Sequence, residues 1–245
     1  MAKITLKNCQ IYLGGYDLTS DSNMASLDAG KDDVENTTFG NTTRTYQADA
    51  LRTVGAAAEG YANYGGSEAG IFSMLASQIP ASFIPQGGIE GNVAYFFNSN
   101  TGSFTPLGGS VGDMAPYTLD LTAANRLIRG SLLAKVANAT STGATTGQQL
   151  GAVSATQTVY AALHVFNLAG TAPTLDVVIE SDDNSGFTSA ASQITFAQIT
   201  GDGSVGYEYA TTAGAITDDY WRVSYTLGGV VTDCDFTVVI GIQNS

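Results

Sequence analysis

Carboxylates are the side chains with which this sequence could do chemistry, and they fall into three groups. Asp218 and Asp219 precede Tyr220 and Trp221 in AGAITDDYWRV, downstream of Glu208. Neighbouring acids serve general acid–base chemistry, as in a glycan hydrolase, only where a pocket adds a third group. A solvated strand start with Trp221 in the core is the favoured reading. ESDDNSGF, from Glu180 to Phe187, resembles a calcium loop, but Gly186 stands at the wrong offset from Asp182 and the distal Glu is missing. Asp, Asn, Ser and Gly also build tight turns, and a turn is favoured. The third group is Asp32, Asp33 and Glu35 in DDVENTTFGNTTRTY, which lacks further ligands at metal spacing.

The remaining chemistry-bearing residues add little. His164 is the only histidine, and without partners it forms neither a metal site nor a triad; a structural role is expected. LGGSVGDM and ITGDGSVG lack the Lys of a phosphate cradle, and no Ser sits in a Gly-x-Ser-x-Gly elbow. No catalytic residue, metal or cofactor is therefore expected, and the chain is not expected to be an enzyme. MAKITLKN runs straight into an alternating pattern with no signal peptide, so a reducing compartment and free thiols at Cys9 and Cys234 are expected.

The composition narrows the partners. Only 13% of the 245 residues are charged and 44% are hydrophobic, which leaves much neutral surface, of a kind often covered by other subunits. The net charge is -13, and beyond Lys135 the sole basic residue is Arg222, against ten acids from Asp176 to Asp235. Such a surface repels nucleic acid rather than displacing counterions from it. It leaves room for a wall past which DNA slides without sticking. No apolar run approaches the ~20 residues of a membrane helix, so no membrane partner is expected.

The elements that must position these residues read as mainly β. ITLKNCQIYLGG alternates and ends in a Gly-Gly turn, NMASLDAG continues as a strand, and GAAAEGYANYGG is a third candidate. Between them Asp32 to Gly55 makes a polar connection longer than compact domains usually carry. Ser67 to Pro80 has helical spacing at Ile71, Met74, Leu75 and Ile79, with Ser67 as cap and Pro80 as stop, which predicts a helix over 67–79. GNVAYFFNSNTGSFTPLGG predicts a hairpin turning at Asn98 to Gly102. MAPYTLDLTAANRLIRGSLLAKVA holds strands around Asn125. Turn clusters recur from residue 152 onward, as in an antiparallel β-sandwich. The expected organisation is a β domain over 1–137, a Gly/Thr-rich loop or linker over 138–151, and a β-sandwich half over 152–245. That half either completes the same fold or is an appended or duplicated domain.

Three stretches together resemble the major tail tube protein of long-tailed, siphophage-type bacteriophages. The first carries a GGYDLT-like turn at Gly14 to Thr19, a TTFG motif at Thr37 to Gly40 and a Gly-Tyr strand end at Gly60 and Tyr61. The second is LTAANRLIRGSLL, and the third runs from LHVFNLAGT through ITDDYWRVSYTLGG to TVVIGI. The resemblance implies a β-sandwich or half-barrel flanked by one helix. It implies subunits joined into hexameric rings, or trimeric ones if the fold is duplicated, stacked into a tube whose acidic lumen passes DNA without binding it specifically. It also implies assembly in the host cytoplasm, a place in the virion tail, and contact with tape measure, tail tip and terminator proteins. Under it, Asp32, Asp33, Glu35, Thr37, Thr38, Phe39 and Gly40 form an inter-ring stacking loop. Its acids would meet Arg44, Arg52, Arg126 or Arg129 of a neighbour, and deleting Asp32 to Thr43 would abolish stacking. The alternative is a carbohydrate-binding or adhesin-like β-sandwich using Tyr207, Tyr209, Tyr220 and Trp221 as stacking platforms.

Overall fold

The computed structural model describes residues 5–31, 34–47 and 52–244. β1 (Gln10–Leu13) turns through Gly14 and Gly15 into β2 (Tyr16–Asp17). Gly14 takes a φ of 53°, in the left-handed region where a Cβ is costly. β3 (Ser22–Lys31) follows, then the short strands β4 (Val34–Glu35) and β5 (Tyr46–Gln47), which pair with each other. β6 (Arg52–Tyr61) returns alongside β3 in antiparallel register, from Lys31↔Arg52 to Ser22↔Gly60.

The helix, α1, covers only Ser67–Ser73, shorter than the 67–79 its spacing predicts. Gly66 is the N-cap, and the Ser67 hydroxyl donates to Asp21 at 2.5 Å instead of capping the first turn. Ile71 and Met74 are buried, and Ala76 leaves the helix with φ 73°. Residues Gln78–Ile84 then form β7, buried along nearly its whole length. Pro80 therefore lies inside a strand. It sits one residue beyond the β1 ladder, whose last pair is Leu13↔Ala81, and its carbonyl accepts the Gly14 amide at 2.9 Å. A missing N–H matters least at such a place.

β8 (Val93–Thr105) is one strand across the region read as a hairpin turn. It continues because it changes partner. Its first half pairs with β10 (Ile128–Val136), its second with β9 (Pro116–Ala123), and β7 lies on its other side. At the changeover the Asn98 amide donates to the Asn125 side chain at 3.0 Å, and the Asn98 carbonyl accepts the Ala124 amide at 2.8 Å. The backbone groups that a partner change would orphan are thus satisfied.

The uncharged segment 138–151 lies along the last strand of the chain, β17 (Tyr220–Asn244). Its short strands β11 (Gly143–Ala144) and β12 (Gln148–Gln149) both pair with β17. The Thr142 and Thr145 hydroxyls accept the Leu227 and Val223 amides at 3.0 and 3.1 Å, and the Gln148 amide group donates to the Leu132 and Leu133 carbonyls. β13 (Gln157–Asp182) pairs with β17 from Gln157↔Asn244 to Asp182↔Tyr220, with register shifts that let the ribbon bend. β14 (Ala191–Thr195), β15 (Ile199–Thr200) and β16 (Gly206–Ala213) line the other side of β13.

The result is a mainly β architecture with one helix, in which a 15-stranded sheet curls into a half-barrel. Side-chain alternation sorts the core. Leu163 and Val238 face a cluster closed by Phe196, Trp221 and Phe236, while Ala162 and Val239 face Phe96, Ile128 and Tyr12. A third cluster joins α1 to β1, β6, β7 and β9 through Ile71, Val54, Ile79 and Leu119. No helix among the described residues is long and apolar enough to cross a membrane.

Candidate functional site

His164 closes the curl. Its ring is fully buried; Nδ1 donates to the Gly14 carbonyl at 2.7 Å and Nε2 accepts from the Ser82 hydroxyl at 2.8 Å. One imidazole thus ties β13 to the β1–β2 turn and to β7. Burial drives its pKa down to about 4, so the ring is neutral near pH 7. This is the structural role the sequence suggested.

The carboxylate groups are built into turns and strand ends. Asp182 accepts the Ser189 and Asn184 amides at 2.8 and 3.0 Å, and Asn184 accepts the Gly186 amide at 2.8 Å, which is a side-chain-braced turn. Those amides lower the Asp182 pKa, and the neighbouring Asp182 raises that of Asp183. Asp218 accepts the Ser181 hydroxyl at 2.6 Å and Glu208 the Ala197 amide at 2.6 Å. No group of three or more His, Cys, Asp or Glu among the described residues could hold a metal ion. Trp221 is wholly buried and donates to the Gly151 carbonyl at 3.0 Å, so it is a core residue and not a sugar platform. Tyr209 packs on Phe96 with ring centroids 6.2 Å apart. Cys9 is half-buried and Cys234 buried, and both are free thiols; burial raises the pKa of each, that of Cys234 to about 12.

The polar connection after β3 sits at the end of an arm formed by β3, β6 and β9. Asp32 and Asp33 lie outside the described residues. Glu35 pairs with Arg44 at 3.8 Å. Arg44 therefore answers an acid of its own loop, where a neighbour's acid was expected, and an exposed pair of this kind stabilises little. The Thr37 hydroxyl accepts the Thr45 amide at 3.0 Å, and the Thr38 carbonyl and hydroxyl accept the Asn41 amide and side chain at 3.3 Å. Thr38 to Asn41 is thus a turn with Gly40 third at φ 96°, the value a type II turn requires there. Phe39, second in that turn, is fully exposed.

Among the described residues β3 pairs with β6 alone, and none of its residues is fully buried. Beneath it runs a groove that the sequence did not reveal. Its apolar floor is Ala25 and Leu27 of β3 against Phe83, Tyr95 and Leu127 of the body. Successive stretches share Ala25, then Leu127, then Arg52, so the groove is continuous along β3. Lys7, Lys31, Arg52 and Arg126 line it, four of the nine basic residues of the chain, and no described Asp or Glu does. Arg126 also donates to the Asn244 carbonyl. Residues from so many separate strands leave no local sequence signal.

No protein-family model matches this sequence, and no curated protein matches it significantly. Among solved structures, a chain of the virion of the native gene transfer agent particle overlays on 51% of this chain and 97% of its own length, with a TM-score of 0.42 and 14% identity. The SPP1 Dit protein, described as a paradigm of the hub adsorption apparatus in phages infecting Gram-positive hosts, overlays on 97% of this chain and 100% of its own, with a TM-score of 0.36 and 9% identity. Both likenesses are too loose to speak to function.

Proposed function

We propose that this chain is a structural subunit that self-associates through its arm. More particularly, it is read as the tube-forming subunit of a phage tail. The observation that carries the reading is the open edge of β3. A ten-residue edge strand is a template for pairing with another chain unless it is guarded, and the charges on this one are only Asp28 and Lys31. Side-by-side joining at this edge would build a ring, and the Phe39 loop would project from it toward the next ring. The similarity of GGYDLT, TTFG and the Gly60–Tyr61 strand end to tail tube proteins supports the same reading. The acids concentrated after Lys135 would line the bore and repel phosphate.

Electron microscopy of the purified protein tests this. Hollow tubes or rings of countable symmetry are expected at high protein concentration. A chain that stays monomeric by analytical ultracentrifugation at every concentration overturns it.

A further inference from the structure

We propose that Arg52 and Arg126 form an oxyanion site between the arm and the body, with a phosphate-type group as its ligand. The assignment is independent of the self-association reading. Both side chains line the same two adjoining hollows. Arg52 opens β6 in the arm, and Arg126 sits at the corner between β9 and β10. Lys31, opposite Arg52 in the ladder, lines the second hollow, so three of the nine basic residues of the chain converge there.

The acids that answer other arginines are not found here. Arg44 has Glu35 at 3.8 Å and Arg222 has Glu180 at 2.8 Å. The Arg52 side chain makes no hydrogen bond or ion pair with described residues. Arg126 donates to a neutral group, the Asn244 carbonyl. No described Asp or Glu lines either hollow, in a chain with 22 acids against nine bases. Arg129 also lacks an acid, but it lines neither hollow and stands by itself.

The neutral side chains of the site can donate as well. Gln157 Oε1 accepts the Ser154 amide at 2.9 Å, which leaves its NH2 group to donate, and Gln243 and Asn244 add two more carboxamides. A guanidinium carries five N–H donors in a fixed fork, and the Asn244 carbonyl holds Arg126 in place while using only one of them. Two such forks need more acceptor oxygens than a single carboxylate has, and a phosphate group has enough. Arg52 belongs to the arm, Gln157 to β13, and Gln243 and Asn244 to β17. A bound oxyanion therefore ties the arm to the end of the ribbon and stabilises the folded chain by mass action.

Isothermal titration calorimetry with inorganic phosphate at fixed ionic strength tests the site. A saturable one-to-one isotherm is expected for the wild-type chain. Arg52→Gln and Arg126→Gln are each expected to weaken it at least tenfold. Arg129→Gln, which removes the same charge outside both hollows, is expected to leave it unchanged. Arg52 is exposed, so its replacement keeps the fold, and circular dichroism checks that. Phosphate is expected to raise the thermal midpoint of the wild type and of Arg129→Gln more than that of the other two variants. Phenyl phosphate titrated in parallel separates a phosphomonoester from the free ion, and a site-dependent isotherm with either supports the assignment. Equal midpoint gains in all four chains mean a general salt effect only and overturn it. No saturable heat with either probe also overturns it and leaves the arginines to anions of the chain itself. A DNA oligonucleotide that binds more tightly than phosphate makes the patch a nucleic-acid contact and overturns it too.

Discussion

The β13–β17 ribbon and the β3–β6 arm are both antiparallel pairs of long strands, yet they end in opposite states. The ribbon buries Leu163, Val177, Trp221 and Phe236 in one cluster, and β14, β15 and β16 cover its outer edge. Among the described residues the arm pairs β3 on one side only and leaves Ala25, Leu27 and Ala29 half-covered or exposed. The ribbon is rich in Val, Ile and Thr where β3 has none, and its strands find partners on both sides where β3 finds one. The ribbon is therefore expected to hold most of the chain's stability, and the arm bears the unfilled surface.

Substitutions should divide along that line. Trp221→Ala removes the largest buried side chain and strips the Gly151 carbonyl of its donor. A loss of about 3–5 kcal/mol is expected from urea denaturation, and a loss under 1 kcal/mol would mean the ribbon is not the stabilising half. His164 gives the next effect, through pH. The unfolded chain binds a proton at its ordinary pKa of 6.5 and the folded chain only near 4. Between those values the unfolded state holds more protons, so stability falls as pH drops from 6.5 toward 4 and flattens below. The contribution is about 3 kcal/mol. His164→Gln should remove this share of the pH slope, and an unchanged slope would refute it. Phe39→Ser should give the smallest change in stability, within about 0.5 kcal/mol, while abolishing tubes. A large shift in its denaturation midpoint would place Phe39 in the fold after all.

Much of the fold was legible. The Gly14–Gly15 turn, the strands of the arm and the pair flanking Asn125 follow from alternation and turn chemistry. The failures share one cause, tertiary partners overriding local pattern. Ile71 to Ile79 keeps helical spacing, but Ile79, Ala81 and Phe83 are needed between β1 and β8. Asn98 to Gly102 reads as a turn, but Asn125 and Ala124 supply the bonds that let β8 continue as it changes partner. Residues 138–151 read as a loop or linker, since the strand their threonines bond to lies some eighty residues away and leaves no local signal. At the arm, the Phe39–Gly40 punctuation was visible in the sequence, whereas the groove beneath β3 was not, because its lining is gathered from segments spread between Leu6 and Asn244.

His164 is the only histidine in the sequence, and it sits on the seam where the curled sheet meets itself. Any spectroscopic label confined to histidine nitrogen therefore reports on that seam and nowhere else. In a particle of any size, one resonance would show whether the proton still rests on Nδ1, and so whether the curled sheet remains shut.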